Sequence, residues 1–248
     1  MQLFKRCHYS IPTEKQTLYL FRKTAYWKDV LQLADKNDNK IRCLPTYVVS
    51  SETNLDALAK TVENACRDHK TTSFVTKENF SAGKEGVRVY DISKIRDVLN
   101  QTRKRIDATC WAAPETFGPC EFLVQIFEPR FLSEPEIRLY YICGKFEYAK
   151  THVGMIREDS YPISISKEKI ETERAQAEYL LFNLPHLKEY ICLRFDFGPD
   201  SRLNEIEMYP DLFGGPGDGV LLGGQDWIAF KTKISRAVLE RANFGLRR

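Results

Sequence analysis

The sequence predicts an α+β protein built on two antiparallel sheets, and three observations carry that expectation. Hairpin-like strand pairs stand apart from helical segments instead of alternating with them one by one, as crossover connections would require. A Pro-, Gly- and Trp-rich stretch, TCWAAPETFGPC, breaks the pattern just before residue 121. Beyond it the chain becomes richer in strands. The expected division is an N-terminal arm over residues 1–22, a first lobe over 23–121 and a second over 122–248.

Residues 1–22 are mixed, with Pro12 early and a Leu18-Tyr19-Leu20-Phe21 run that reads as a short strand. From Lys23 to Ala34 the spacing of apolar residues is helical, and the polar DKNDNK stretch stops it. IRCLPTYVV is extended and β-branched, and Pro45 places it early in a strand or at a sheet edge. Ser51 is positioned to cap the next helix, which puts Leu55, Leu58, Ala59, Val62, Ala65 and Cys66 on one face. Residues 72–76 predict a strand, 78–86 a polar loop with glycines, and 87–90 the returning strand. Asp91 opens a second helix with Ile92, Ile95, Val98 and Leu99 on its stripe. In the second half, residues 121–127 predict an apolar strand and 136–142 another. Cys143-Gly144-Lys145 turns the chain into a third strand over 146–152. Residues 169–183 predict an amphipathic helix using Ala175, Ala177, Leu180 and Leu181. A hairpin follows over 190–197 and 202–208, turned by Gly-Pro-Asp-Ser, and a last helix runs from about 226 to 242.

Composition narrows the class. With 43% hydrophobic and 29% charged residues the chain is an ordinary globular one. A formal charge of +3, with acids and bases interspersed, is too slight to argue for nucleic acid as a partner. No apolar run reaches the roughly 18–20 residues that span a bilayer, so no membrane partner is expected. The first fifteen residues lack the continuous apolar stretch of a secretory signal. The seven cysteines are scattered without a C-x-x-C pair, and the four histidines have no metal-ligand spacing, which excludes a structural zinc motif. Reduced thiols and a cytoplasmic location are the expectation.

Three segments carry chemistry. In the first, Lys77 emerges at the end of a strand, and a loop with Ser81, Gly83 and Gly86 returns to Val87. A fixed ammonium beside exposed backbone N–H groups suits polyphosphate; the plain alternative is a common hairpin. It is not a Walker loop, because G-x-x-x-x-G-K is missing. In the second, LRFDFGPDSRLNEIEMYP, Asp196 lies on one strand and Glu205 and Glu207 on its hairpin partner. Strand alternation puts Glu205 and Glu207 on one face. Three neighbouring carboxylates repel unless a cation sits among them, and an oxygen-only set suits Mg²⁺ or Mn²⁺ bridged to phosphates. The alternative is an exposed hairpin face paired with Arg194 and Arg202. In the third, FLVQIFEPRFLSEPEIRLYYICGKFEYAKTHVG, Arg138 and Lys150 recur on successive strands after a short linker; alone they read as solvent-facing sheet charges.

In order and approximate spacing these segments together resemble the ATP-grasp superfamily, over roughly residues 25–245. The resemblance implies two lobes whose antiparallel sheets clamp Mg-ATP. It implies that Lys77 and the loop bearing Ser81, Gly83 and Gly86 contact the nucleotide phosphates. The linker Gln125-Ile126-Phe127-Glu128 matches the segment that holds adenine by backbone groups. Glu136-Ile137-Arg138 stands for the family's Asp-Ile-Arg, and Gly144 for its hairpin glycine. The metal pattern, Asp followed by Glu-x-Asn-x-x-Pro, appears as Asp196 and as Glu205-Ile206-Glu207-Met208-Tyr209-Pro210. The implied activity is ligation of a carboxylate to an amine through an acylphosphate, releasing ADP. Two Mg²⁺ ions would sit on Asp196, Glu205 and Glu207, with Lys77, Arg138 and Lys150 stabilising the γ-phosphate. The unknown carboxylate would be joined to an amine that is small, or part of a peptide or protein. The feel is that of ribosomal-protein glutamylation-type and peptide ligases.

Two departures stand out. Glu207 occupies the usual Asn position, adding a negative charge. Only about 22 residues precede the first predicted helix, where the family usually carries a full α/β domain that helps to hold the acceptor. Both features suit a rival reading: a catalytically reduced ATP-grasp protein that binds nucleotide or scaffolds partners. A nucleic-acid enzyme is disfavoured, because Arg103, Lys104 and Arg105 form no basic stripe and no K-x-D-G motif is present.

Overall fold

Thr13 and Gln16 start the first helix by a reciprocal cap. Gln16 N donates to Thr13 Oγ1 at 3.2 Å, and Thr13 N donates to Gln16 Oε1 at 2.9 Å. In the computed structural model this helix, α1, spans Glu14–Phe21 and is followed by α2, Lys23–Lys36. The Leu18–Phe21 run is therefore helical and not a strand. Its alternation is too short to outweigh the Thr13–Gln16 box just upstream. The structure describes residues 13–36, 40–79, 86–110, 120–152, 166–208, 221–222 and 232–240.

The chain forms two compact units. One comprises Leu18–Leu33 and Cys43–Pro129, the other Met1–Thr17, Ala34–Arg42 and Arg130–Arg248. The first unit holds a four-stranded antiparallel sheet of β1 (Thr46–Val49), β2 (Ser73–Glu78), β3 (Val87–Asp91) and β4 (Phe122–Ile126), in the order β1-β4-β2-β3. Pro45 immediately precedes β1, which is an edge strand, a place where a missing N–H is tolerated. Helix α3, Leu55–Asp68, buries Leu58, Ala59, Val62, Ala65 and Cys66. Its cap is Asn54, whose side chain accepts from Ala57 N at 3.0 Å, and not Ser51. The helix starts later than the Ser51 reading required, at Leu55, so the residue three positions after Ser51 is the cap Asn54 itself and not a helical residue. Asp91 caps a 3₁₀ turn, Ile92–Lys94, that leads into α4, Ile95–Cys110.

Strand β4 belongs to this first sheet. The sequence reading opened the second lobe with it, but it pairs with β1 on one side and β2 on the other, and all five of its residues are buried. An apolar strand covered on both faces needs two strand neighbours to satisfy its backbone, and β1 and β2 supply them.

The second unit holds a five-stranded sheet, β8-β7-β5-β6-β9, from β5 (Glu136–Ile142), β6 (Lys145–His152), β7 (Cys192–Phe197), β8 (Leu203–Glu207) and β9 (Leu221–Leu222). The β5–β6 turn places Cys143 at φ 48° and Gly144 at φ 75°, both left-handed, as a two-residue hairpin turn demands. Ile137, Leu139 and Tyr141, with Phe195, Phe197 and Ile206, line one face and are buried. Helix α5, Lys167–Asn183, covers that face. Its Arg174 guanidinium lies 4.9 Å from the Phe146 ring centroid, beside an edge-on Tyr141–Phe195 pair at 5.3 Å. On the other face Tyr140 stacks on Tyr148 at 4.5 Å, in a cluster with Ile142, Cys192 and Ala237 of helix 232–240, named α6 here. Among the described residues no helix is long and apolar enough to cross a membrane.

Candidate functional site

In the first unit Lys77 is the fifth residue of β2, directly opposite Leu123 of β4 and Val87 of β3. Alternation puts it on one face with Val75 and, across the ladder, Leu123 and Gln125. It is only 9% exposed. The strand is fastened just beyond it. Glu78 pairs with Arg105 of α4, and Glu78 N donates to Gly86 O at 3.2 Å. Asn79 donates to Thr24 Oγ1 at 3.0 Å and to Glu121 O at 3.2 Å, while its Oδ1 accepts from Thr24 N at 3.0 Å. Glu121, 5% exposed, completes this group by accepting from Thr24 Oγ1 at 2.9 Å and Lys28 Nζ at 2.5 Å. Gly86 lies at the return into β3 with φ 74°. Ser81 and Gly83 lie outside the described residues.

The segment from Gln125 to Glu128 ends this unit. Gln125 Nε2 donates to Thr46 Oγ1 at 2.7 Å. Ile126 N donates to Pro45 O at 3.1 Å and Phe127 N to Ser73 O at 2.9 Å, while Phe127 O accepts from Thr71 Oγ1 at 2.6 Å. Much of the backbone expected to hold an adenine is thus engaged within the unit. A base docked here uses the second lone pair of the Phe127 carbonyl, uses Glu128, or displaces these bonds.

In the second unit the ladder itself assembles the predicted charges. Glu205 lies opposite Asp196, Asp196 opposite Arg138, and Arg138 opposite Lys150, so one rank of directly paired residues crosses four strands on one face. The next rank is Glu207, Arg194, Tyr140 and Tyr148. Asp196 and Arg194 are 2% and 3% exposed, which excludes the solvated-hairpin reading. Arg202, offered in that reading beside Arg194, lies 3.6 Å from Asp200.

Arginine binds the acids. Arg194 Nε donates to Asp196 Oδ1 at 2.6 Å and Nη2 to Asp196 Oδ2 at 2.7 Å, and Nη2 also reaches Glu207 Oε2 at 2.5 Å. Arg138 Nε lies 3.7 Å from Asp196 Oδ2, and its Nη2 3.4 Å from Glu136 Oε2. Burial opposes the Arg194 charge, but Asp196 and then Glu207 more than offset it and push its pKa upward. For Arg138 burial opposes the charge most strongly and Arg194 adds to that, but Asp196 together with Glu136 and Tyr140 tips the balance and the pKa rises. Glu136 is pushed up to about 7, by burial first and then by the charge of Asp196. A bulge after Asp196 makes Asn204 the extra residue of β8, and its Nδ2 donates to Glu136 Oε1 at 2.7 Å.

Among the described residues no group of three His, Cys, Asp or Glu side chains is arranged to hold a metal ion. The reason is local: both Asp196 oxygens face the Arg194 fork, which also takes Glu207. As arranged, the expected metal set does not fit a divalent cation. Arg194 was legible as a same-face neighbour two residues from Asp196, but nothing in the spacing says whether an arginine or a metal neutralises the acids. Asn204 carried no signal, because its orientation comes from the bulge. The Thr24–Asn79–Glu121 group joins residues too far apart in sequence to be associated by pattern.

No family model matches the sequence, and no curated protein matches it either. Solved structures do. D-cycloserine synthetase DcsG superposes with a TM-score of 0.54 at 18% identity, over 81% of this chain and 65% of that one. A D-alanine–D-alanine ligase from Bacillus anthracis gives 0.54 at 15% identity, over 91% and 69%. The corresponding ligase from Coxiella burnetii gives 0.51 at 10% identity, over 92% and 61%. This chain thus spans about two thirds of the length of these structures. Such likeness establishes the fold: the chain has the two-sheet α+β architecture of the ATP-grasp ligases.

Proposed function

We propose that the chain is an ATP-dependent ligase that joins a carboxylate to an amine through an acylphosphate. The observation that carries the reading is the rank of Lys150, Arg138, Asp196 and Glu205 across one sheet face, in a chain with the fold of D-alanine–D-alanine ligases and D-cycloserine synthetase. Lys77, with its ammonium on a strand, neutralises the nucleotide phosphates, and the loop bearing Ser81, Gly83 and Gly86 covers them. The segment from Gln125 through Ile126 and Phe127 to Glu128 receives the adenine. A carboxylate oxygen of the substrate attacks the γ-phosphorus; its bond to the β-bridging oxygen breaks, and that electron pair leaves on ADP. Arg138 and Lys150 hold the charge that spreads over the γ-phosphate oxygens during transfer. The amine then attacks the acyl carbon, inorganic phosphate departs, and the amine gives up its proton. Mg²⁺ carried in with ATP would supply further charge neutralisation to the phosphates.

Incubation with Mg-ATP, pooled amino acids and short peptides, with nucleotide products resolved by chromatography, tests the reading. ADP and phosphate are expected. AMP and pyrophosphate would indicate adenylation instead, and a melting curve unmoved by saturating Mg-ATP would remove the nucleotide altogether. A second reading, a catalytically reduced nucleotide-binding or scaffold protein, draws on the Arg194 fork that occupies Asp196 and Glu207. It expects Mg-ATP to raise the melting temperature with no ADP formed under any substrate pool.

A further inference from the structure

The mismatch between the acidic set and a divalent cation has its own logic. Arg194 lies two residues before Asp196 on β7, so both side chains leave the same face of the strand. Its planar fork spends Nε and Nη2 on the two Asp196 oxygens, at 2.6 and 2.7 Å, and Nη2 serves Glu207 Oε2 at 2.5 Å as well. Arginine is suited to such a place, being permanently charged, planar and less strongly hydrated than an ammonium. A divalent ion drawing on the same Asp196 oxygens would sit against the guanidinium, cation against cation, in a nearly dry setting where repulsion is weakly screened. The arginine would have to yield. A buried guanidinium stripped of its partner is strongly destabilising, so it needs another carboxylate. Glu207 is that carboxylate. It stands where the resemblance expects Asn, it already touches Arg194, and its side chain is 28% exposed, so it lies toward solvent from the buried pair.

We propose that Arg194 is the resident cation of this acidic face: Asp196 and Glu207 are built around its guanidinium, a divalent ion gains Asp196 only by displacing it, and Glu207 retains it. Glu207 is thus a positioning residue and not a metal ligand. The identity of the displacing ion as the metal of a bound nucleotide rests on the proposed function; the competition itself does not.

Mn²⁺ binding, followed by electron paramagnetic resonance without nucleotide, tests the competition. Arg194→Gln is expected to bind Mn²⁺ at least tenfold more tightly than the wild-type chain. Arg202→Gln removes an equal charge from the same hairpin, where Arg202 faces Asp200, and is expected to stay within threefold of wild type. An Arg194→Gln affinity no tighter than that of Arg202→Gln overturns the proposal, as does a lack of Mn²⁺ binding by every variant. Should Arg194→Gln fail to fold because its acids repel, Arg194→Lys carries the test. An ammonium keeps the charge but cannot make the parallel fork to Asp196, so Mn²⁺ binding is expected to tighten severalfold; no tightening overturns the proposal. In the wild-type chain the Arg194 Nε–H resonance, assigned by its loss in Arg194→Lys, is expected to shift or exchange rapidly as Mg²⁺ is added. A resonance unmoved at saturating Mg²⁺ is again fatal. Thermal shift of the wild-type chain with Mg-ATP separates the two ideas. No nucleotide response with tighter Mn²⁺ binding in Arg194→Gln sinks the ligase reading alone, and the reverse pattern sinks only the displacement.

Discussion

Glu173 shows how far a single side chain can depart from its ordinary behaviour. It is fully buried in α5, and burial pushes its carboxyl up from 4.5 to about 8, with Lys169 and the Ser201 hydroxyl offsetting this only in part. The folded chain therefore keeps this proton over a range in which the unfolded chain has lost it. The resulting stability is fully present below about pH 4.5 and is lost as pH rises toward about 8, at roughly 1.4 kcal/mol per unit of separation. Melting temperatures measured from pH 5 to about 8 are expected to fall for the wild-type chain, and Glu173→Gln, which stays neutral, should flatten the profile. A wild-type profile as flat as that of the variant would show that Glu173 is ionised without penalty. Lys77 makes a different residue-scale prediction. Under the proposed function Lys77→Ala would remove a charge-assisted contact worth about 1.5–3 kcal/mol, so it should shrink the Mg-ATP thermal shift while leaving the ligand-free melting temperature within a few degrees. An unchanged shift would take Lys77 out of the nucleotide site.

Among elements, the β7–β8 hairpin depends on its turn. A Cβ on Gly198 would lie 2.0 Å from Phe131 Cε1, and Arg130 from the same segment as Phe131 grips Asp200 at 2.5 and 3.2 Å. Gly198→Ala must push the ring aside and is expected to destabilise by about 1–3 kcal/mol in denaturant titrations. Adding Phe131→Leu should recover part of the loss, and a double variant worse than the sum would exclude the ring as cause. Helix α3 depends on its cap: Asn54→Ala is expected to lower stability by about 1 kcal/mol, whereas Ser51→Ala should be nearly neutral. Equal effects would restore Ser51 as the cap. Most elements were legible because their periodicity is strong. The stripe Leu58, Ala59, Val62, Ala65 and Cys66 was read from spacing and is buried in α3. The first helix was misread because four alternating residues were weighed without the Thr13–Gln16 box that starts it.

At the scale of the whole molecule, the sheet to which β4 belongs decides where the chain can be divided. It is the inner strand between β1 and β2, so a chain ending at residue 121 leaves two strand edges and a hydrophobic face uncovered. A fragment covering residues 1–129 is expected to melt cooperatively by circular dichroism and one covering 1–121 is not; cooperative melting of the shorter piece would contradict the inner placement. By itself the sequence determined the α+β class, the strands that pair locally, and the common face of Glu205 and Glu207, because alternation and turn chemistry act between residues close in the chain. The ATP-grasp fold was read as a resemblance, from the order and approximate spacing of three segments. Tertiary structure alone decided that β4 returns to the first sheet, that a bulge turns Asn204 onto Glu136, and that Arg194 occupies Asp196 and Glu207, two of the three acids expected to hold a metal. These outcomes turn on which backbone finds a second partner and which cation lies nearest a buried carboxylate, and both are settled by packing in three dimensions rather than by spacing along the chain.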